Sequence, residues 1–251
     1  MGIQKDTQHK TYGLVGKNIS YSFSKNYFSK KFSAEHINNC SYVNFDIDAV
    51  QHFKSIFETE SVINGLNVTI PYKEAIIPHL DKISKKAQEI GAVNTIKVTK
   101  EGQLKGYNTD EYGFRKSLLP LLQKHHNKAL ILGTGGASKA IAYALKKLQT
   151  PYSFVSRKNN TKYNYESLTD AVIKEHHIII NCTPLGTFPK TEEHPNIPYN
   201  AISNQHLLYD LIYNPEETTF LQKGRNQGAA TCNGMKMLEL QAEKAWKIWN
   251  K

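Results

Sequence analysis

The feature that most constrains the fold is an alternation. Short apolar runs rich in β-branched and aromatic residues are separated by longer stretches of helical character: Tyr12 to Val15, Tyr42 to Phe45, Val62 to Val68, Val93 to Val98, Ala129 to Leu132, Tyr152 to Val155, Ile178 to Ile180 and Leu207 to Tyr209. Such a chain is expected to be α/β with mainly parallel strands, because a parallel pair needs a crossover long enough to hold a helix. Its 251 residues suffice for two modest cores. A break is expected between Leu118 and Lys128, where a leucine-rich stretch with Pro120 gives way to the polar Gln123-Lys124-His125-His126-Asn127-Lys128. Near the end, Leu238, Ala242, Ala245 and Trp249 fall at helical spacing, which predicts an amphipathic last helix that packs back on the first domain.

Composition excludes several classes. An aromatic content of 10% argues against disorder, and no apolar run approaches the ~18 residues of a membrane span. Met1 to Lys10 is polar, and Asp6 stands where a myristoylation motif wants Ser or Thr, so a soluble cytoplasmic protein is expected. Cys40, Cys182 and Cys232 are odd in number and far apart, which disfavours a disulfide framework or a zinc site. The neighbouring pairs His125-His126 and His176-His177 lack the i, i+4 spacing of a metal face, and no metal is expected. A net charge of +10 attracts anions of any kind and does not choose among them.

The glycine-rich turn chooses. Ala-Leu-Ile-Leu runs into Gly133-Thr134-Gly135-Gly136-Ala137-Ser138 and then into a helical stretch, the strand–turn–helix order of a dinucleotide site. Glycines there let the backbone approach a pyrophosphate, and the helix N-terminus supplies N–H donors. Ser138 replaces the third glycine of the fingerprint. An NAD site places an acid at the end of the second strand, to bind the ribose 2′-hydroxyl. Here that strand ends in Ser156-Arg157-Lys158, two cations and no acid, which favours the 2′-phosphate of NADP.

In the N-terminal half, polar residues cluster at strand ends. These are Ser22 and Ser24 after the first strand, Asn67-Val68-Thr69-Ile70-Pro71-Tyr72-Lys73, Gly91-Ala92-Val93-Asn94-Thr95, and Asn108-Thr109-Asp110. Two hydroxyls suit a carboxylate, because they donate to its oxygens without burial of a second ion.

In this order, Ser-x-Ser, N-V-T-x-P-x-K, G-A-V-N-T, N-T-D, G-x-G-G-A, N-x-T-P-L-G (Asn181 to Gly186) and N-G-x-x-M-L-x-x-Q-A (Asn233 to Ala242) resemble the shikimate dehydrogenase family along nearly the whole chain. The resemblance implies an N-terminal α/β substrate domain (1–118), a Rossmann-like NADP domain (119–232) and a C-terminal helix (233–251) that returns to the first. It implies NADPH-dependent reduction of 3-dehydroshikimate to shikimate, with Lys73 and Asp110 flanking the reacting hydroxyl. Ser22 and Ser24 would hold the substrate carboxylate, and Thr69, Asn94, Tyr213 and Gln241 match other substrate contacts. Gly133, Thr134, Gly135, Gly136 and Ala137, with Ser156, Arg157 and Lys158, match the cofactor's phosphate sites, and Leu211 and Gly234 lie at positions beside the nicotinamide.

The chain departs from the family pattern in three places. Lys25 stands where proline usually follows the serine pair, Ser156 replaces asparagine before Arg157, and Thr187 replaces a frequent methionine. A nucleic-acid-binding reading fails because Lys105-Gly106-Tyr107 is followed by Asn108-Thr109-Asp110, with no stacking aromatics and an acid that repels phosphate. A non-catalytic sensor on the same fold is opposed by retention of Lys73 and Asp110, while quinate stays open as an alternative substrate. The expected partners are a small-molecule substrate and NADP, without nucleic acid or membrane, on a monomer or homodimer.

Overall fold

A computed structural model describes residues 9–20, 22–59, 62–157 and 161–251. Lys158 and most of the polar N-terminal stretch lie outside the described residues. The chain divides into two compact units, one of residues up to Thr109 together with Ala242–Lys251, the other Asp110–Gln241.

The first unit holds β1 (Lys10–Gly16), α1 (Phe23–Ala34), β2 (Cys40–Asp46), α2 (Ile56–Thr59), β3 (Ile63–Val68), β4 (Lys82–Ile83), α3 (Lys85–Ile90), β5 (Thr95–Val98) and β6 (Leu104–Tyr107). Its sheet runs β2-β1-β3-β5-β6-β4. The pairs of β1 with β2 and β3 are parallel, as is β4 with β6, whereas β5 is antiparallel to both its neighbours. Val15, Leu66, Val68, Val93 and Ile96 fill a core under this sheet. On another face, Tyr12, Phe28 and Tyr42 pack with Ala242, Ala245 and Trp249. Tyr12 stacks on Trp249 with ring centroids 4.9 Å apart, and Trp249 Nε1 donates to Ile96 O at 2.9 Å. The end of the chain is thereby fastened to the first sheet by an aromatic contact and a buried donor.

The second unit begins with α4 (Asp110–Leu118) and continues through β7 (Ala129–Leu132), α5 (Gly136–Lys147), β8 (Tyr152–Ser156), β9 (Tyr163–Asn164), α6 (Asp170–Glu175), β10 (Ile178–Asn181), β11 (Leu207–Asp210), α7 (Thr219–Asn226), β12 (Ala230–Cys232) and α8 (Met235–Trp249). All pairs in its sheet, β12-β11-β10-β7-β8-β9, are parallel. Numbered within the unit, this is the order 6-5-4-1-2-3 of a Rossmann sheet. Apolar strands fill it from both faces: Leu130, Leu132 and Ile179 join one core cluster, and Ala129, Ile131, Ile178 and Ile180 the other. Strands covered on both faces read as continuous apolar runs, which is why β7 and β10 stand out in the sequence.

The units part at Thr109, ahead of the polar stretch expected to be the hinge, because α4 buries Phe114 and Leu118 among β7 and α5. The last helix is likewise divided. Met235–Gln241 belongs to the second unit and only Ala242 onward to the first, with Met237 buried and Leu238 half-buried. Among the described residues no helix is long and apolar enough to cross a membrane.

Candidate active site

Parallel sheets of this order bind ligands beyond the carboxyl ends of their strands, at the switch point where the chain leaves one central strand in each direction. In the second unit that point lies between β7 and β10. Leu132 at the end of β7 pairs with Asn181 at the end of β10, and Asn181 pairs in turn with Asp210 at the end of β11.

The turn after β7 follows from its glycines. Gly133 has φ +100°, a conformation that a side chain resists, and its N–H is held by Val155 O at 2.9 Å. Gly135 is the N-cap of α5 with no side chain capping the first turn, and a Cβ built on it would meet nothing within 4 Å. An uncapped helix N-terminus preceded by a glycine with room around it fits a pyrophosphate. Ser138, at the third glycine's place, is 1% exposed and turns its hydroxyl back to Gly135 O at 2.6 Å. Its polar atom is satisfied within the turn, so the departure leaves the turn intact.

Ser156 ends β8 and is buried, whereas Arg157 next to it is exposed and lies close enough to oppose the burial that pushes the Tyr165 hydroxyl up to about 12. An exposed guanidinium at this strand end suits a 2′-phosphate. Leu211 and Tyr213 follow β11 and are half-buried. Gly234 donates to Ile212 O at 2.9 Å, and a Cβ on it would stand 2.1 Å from Leu211 O. Helices α4 and α8 meet at Gly113, where Met237 O and Gln241 come within 2.5 and 3.1 Å of the place a Cβ would occupy. Asp110, one turn earlier on α4, and Gln241 are both buried, so the second unit places these two predicted residues on adjoining helix faces.

Three buried polar residues here escaped the sequence reading. Asp210 accepts Thr218 Oγ1 at 2.6 Å, Ile212 N at 3.0 Å and Asn181 Nδ2 at 3.1 Å. Burial raises its carboxyl to about 6, against these three bonds. Asn181 was visible only as the first letter of N-x-T-P-L-G, and nothing in the local pattern marked Asp210 or Thr218.

The first unit builds its part from side chains. Ser22 caps α1, its Oγ accepting Lys25 N at 3.4 Å. Lysine in place of the usual proline supplies an N–H that proline lacks, and the serine hydroxyl keeps its own proton to donate. Ser24 is buried one residue into the helix. Thr69 and Lys73 flank a turn closed by Tyr72 N to Thr69 O at 2.9 Å, while the Tyr72 hydroxyl ties the turn down through Ile47 O at 2.6 Å. Lys73 is half-buried and its carbonyl accepts Val93 N at 2.7 Å. Asn94, 3% exposed, takes Thr109 N at 2.7 Å on Oδ1 and gives Nδ2 to Thr109 Oγ1 at 3.0 Å. Asn67 joins this knot through Asn94 O at 3.2 Å and receives the Tyr42 hydroxyl at 2.9 Å. The segment of Lys73 and the residue just before Asp110 are thus anchored to the adjacent residues Val93 and Asn94. Asn67, Thr95 and Thr109 sat inside motifs already singled out, but Tyr42 carried no signal.

The histidine pairs lie at the opposite ends of the strands. His125 and His177 rings meet at 5.6 Å, as do His177 and His206. Among the described residues no group of three His, Cys, Asp or Glu is placed to hold a metal ion.

Comparison with known proteins agrees with this architecture. Residues 14–96 match the model of the shikimate dehydrogenase substrate binding domain. The chain is 37% identical to the NADP(+) shikimate dehydrogenase of Methanosphaera stadtmanae, covering 94% of this chain and 90% of that one. Among solved structures, shikimate dehydrogenase from Aquifex aeolicus superposes with a TM-score of 0.83 at 34% identity, covering 99% and 94% of the two chains. Shikimate 5-dehydrogenase from Thermus thermophilus, solved with NADP(H) and shikimate, gives 0.83 at 28% identity, covering 95% and 92%. At 37% identity to one such enzyme over 94% of its length, and with a TM-score of 0.83 to another at 34% identity, the chain belongs to the shikimate dehydrogenase family.

Proposed function

We propose that this protein catalyses the reversible NADPH-dependent reduction of 3-dehydroshikimate to shikimate, a step toward chorismate and the aromatic amino acids. The observation that carries the reading is 37% identity across 94% of the chain to an NADP(+) shikimate dehydrogenase, and Lys73 and Asp110 stand in the N-V-T-x-P-x-K and N-T-D motifs that resemble the family's. Interconverting an alcohol and a ketone moves a hydride at carbon and a proton at oxygen. NADP(H) carries the hydride when bound. Lys73 takes the proton from the hydroxyl or returns it, and Asp110 orients the same oxygen. Ser22 and Ser24 donate to the substrate carboxylate, and Thr69, Asn94, Tyr213 and Gln241 hold the ring hydroxyls.

Gly133 to Ala137 receive the pyrophosphate, Ser156, Arg157 and Lys158 the 2′-phosphate, and Leu211 and Gly234 border the nicotinamide. The open space before Gly135 and the exposed Arg157 support this assignment. Free Cys40, Cys182 and Cys232 support a reducing, cytoplasmic setting. The protein works as a monomer or homodimer, a point that light scattering after gel filtration decides.

The test is kcat/KM for shikimate and for quinate, each with NADP+ and with NAD+. Shikimate with NADP+ is expected to be the best pair. A preference for quinate or for NAD+ would replace this reading with that of a relaxed or quinate-directed dehydrogenase, and no oxidation of either alcohol would end it.

A further inference from the structure

The mechanism leaves one buried charge without a task. Asp210 is 0% exposed, and its three partners are all neutral: the Thr218 hydroxyl, the Ile212 N–H and the Asn181 amide. A carboxylate removed from water without a cation is costly, and a neutral side chain of similar size would fill the space without that cost.

What distinguishes the position is what its partners hold. Asn181, also 0% exposed, is its register partner, so both side chains lie on one face of the sheet at the carboxyl edge. Asn181 Oδ1 in turn accepts Thr183 N at 3.0 Å and Thr183 Oγ1 at 2.7 Å, which sets the loop after β10. That loop rests on the glycine turn, with Thr183 Cγ2 3.1 Å from the place a Cβ on Gly133 would take. Asp210 Oδ1 meanwhile fixes Ile212 N, and Ile212 O receives Gly234 N at 2.9 Å. One amide–carboxylate pair therefore joins the loop against Gly133 to the loop of Leu211 and Gly234.

We propose that Asp210 and Asn181 are positioning residues for the cofactor, locking the loops after β10 and β11 into the shape that receives NADP(H). The inference rests on the reading that this edge of the sheet binds NADP(H).

The probe is NADP+ added to the full-length protein, with affinity read by calorimetry and folding by near-ultraviolet circular dichroism. Asp210→Ala removes both acceptor oxygens with the three bonds they accept and is expected to raise Kd at least ~10-fold, whereas Asp210→Asn, which keeps the bonds of Oδ1 and can donate to Thr218, is expected to stay within ~3-fold. Asn181→Asp supplies a readout that general loosening would not move. It sets two carboxylates at a spacing now 3.1 Å, where they share a proton at low pH and repel once both ionise.

This variant should lose at least ~10-fold more affinity than the parent protein between about pH 5.5 and 8.5. The other titratable groups facing Asp210, the Cys182 thiol and the Tyr199 hydroxyl, are pushed up by burial and stay neutral over that range. The 2′-phosphate titrates near ~6 but does so identically with both proteins. A folded Asp210→Ala protein with parental affinity, or an Asn181→Asp profile parallel to the parent's, overturns the inference. Should Asp210→Ala fail to fold, the Asn181→Asp profile decides alone. A parent protein that does not bind NADP+ sinks the cofactor reading together with the inference, while a parent that binds and variants that match it sink the inference only.

Discussion

The two units present their functional groups by opposite means. In the first, the candidate residues are set by side chains: Asn94 meets Thr109 through both ends of its amide, at 2.7 and 3.0 Å, and Asn67 links it to Tyr42. In the second, the turn at Gly133 and the close approach of Gly234 to Leu211 are matters of backbone, and a Cβ is the intruder. A site built from side chains stores its selectivity in residue identity, which suits a small ligand with several hydroxyls and one carboxylate. A site lined by backbone resists added bulk, which suits phosphates shared by every dinucleotide, and its side-chain requirements move to buried pairs such as Asn181 and Asp210 that hold its loops.

This contrast can be broken at several places. The largest effect should come from Lys73→Ala, with a loss of ~10²- to 10⁴-fold in kcat if the ammonium moves the proton. Near-parental turnover would remove lysine from the chemistry and leave the first unit a binding site only. Next comes Ser24→Ala, where loss of a hydroxyl bonded to a charged carboxylate is worth ~1.5 to 3 kcal/mol and should appear in KM for shikimate, with kcat kept. An unchanged KM would put the carboxylate elsewhere. The smallest effect is expected when a methyl is added instead of a group being removed. Gly234→Ala forces Cβ toward Leu211 O, 2.1 Å away, and overpacking of this kind costs ~1 to 3 kcal/mol of stability, read as a lower Tm with weaker NADP+ binding. A Tm and affinity equal to the parent's would show that close backbone approach does not shape the second site.

Much of this organisation was legible beforehand, and the places where it was not are instructive. Ile178 to Ile180 and Ala129 to Leu132 announced buried parallel strands because both faces of such a sheet are covered. Strands β4 and β9, with two residues each, and β12, reading Ala-Thr-Cys, were too short or too weakly patterned to notice. Composition changes near Leu118, but composition reports solvent exposure, whereas unit membership follows packing, and Phe114 and Leu118 pack with the second core. Met237 is buried and Leu238 half-buried for the same reason: helical spacing offers adjacent faces, and the neighbouring α4 selects between them.

By itself, the order of residues determined what is local: the strand–turn–helix around Gly133, and seven motifs whose chemistry points to one family. Backbone dihedrals, hydrogen-bonding groups within a few residues, and periodicity are all carried by neighbours along the chain, so they can be recognised without coordinates. Only the tertiary structure decided that Asn181 faces Asp210, that Tyr42 reaches Asn67, and that the last helix serves two cores. These pairings join residues far apart in the chain, and which side chains meet at a sheet edge depends on strand order and register, which no stretch of sequence contains.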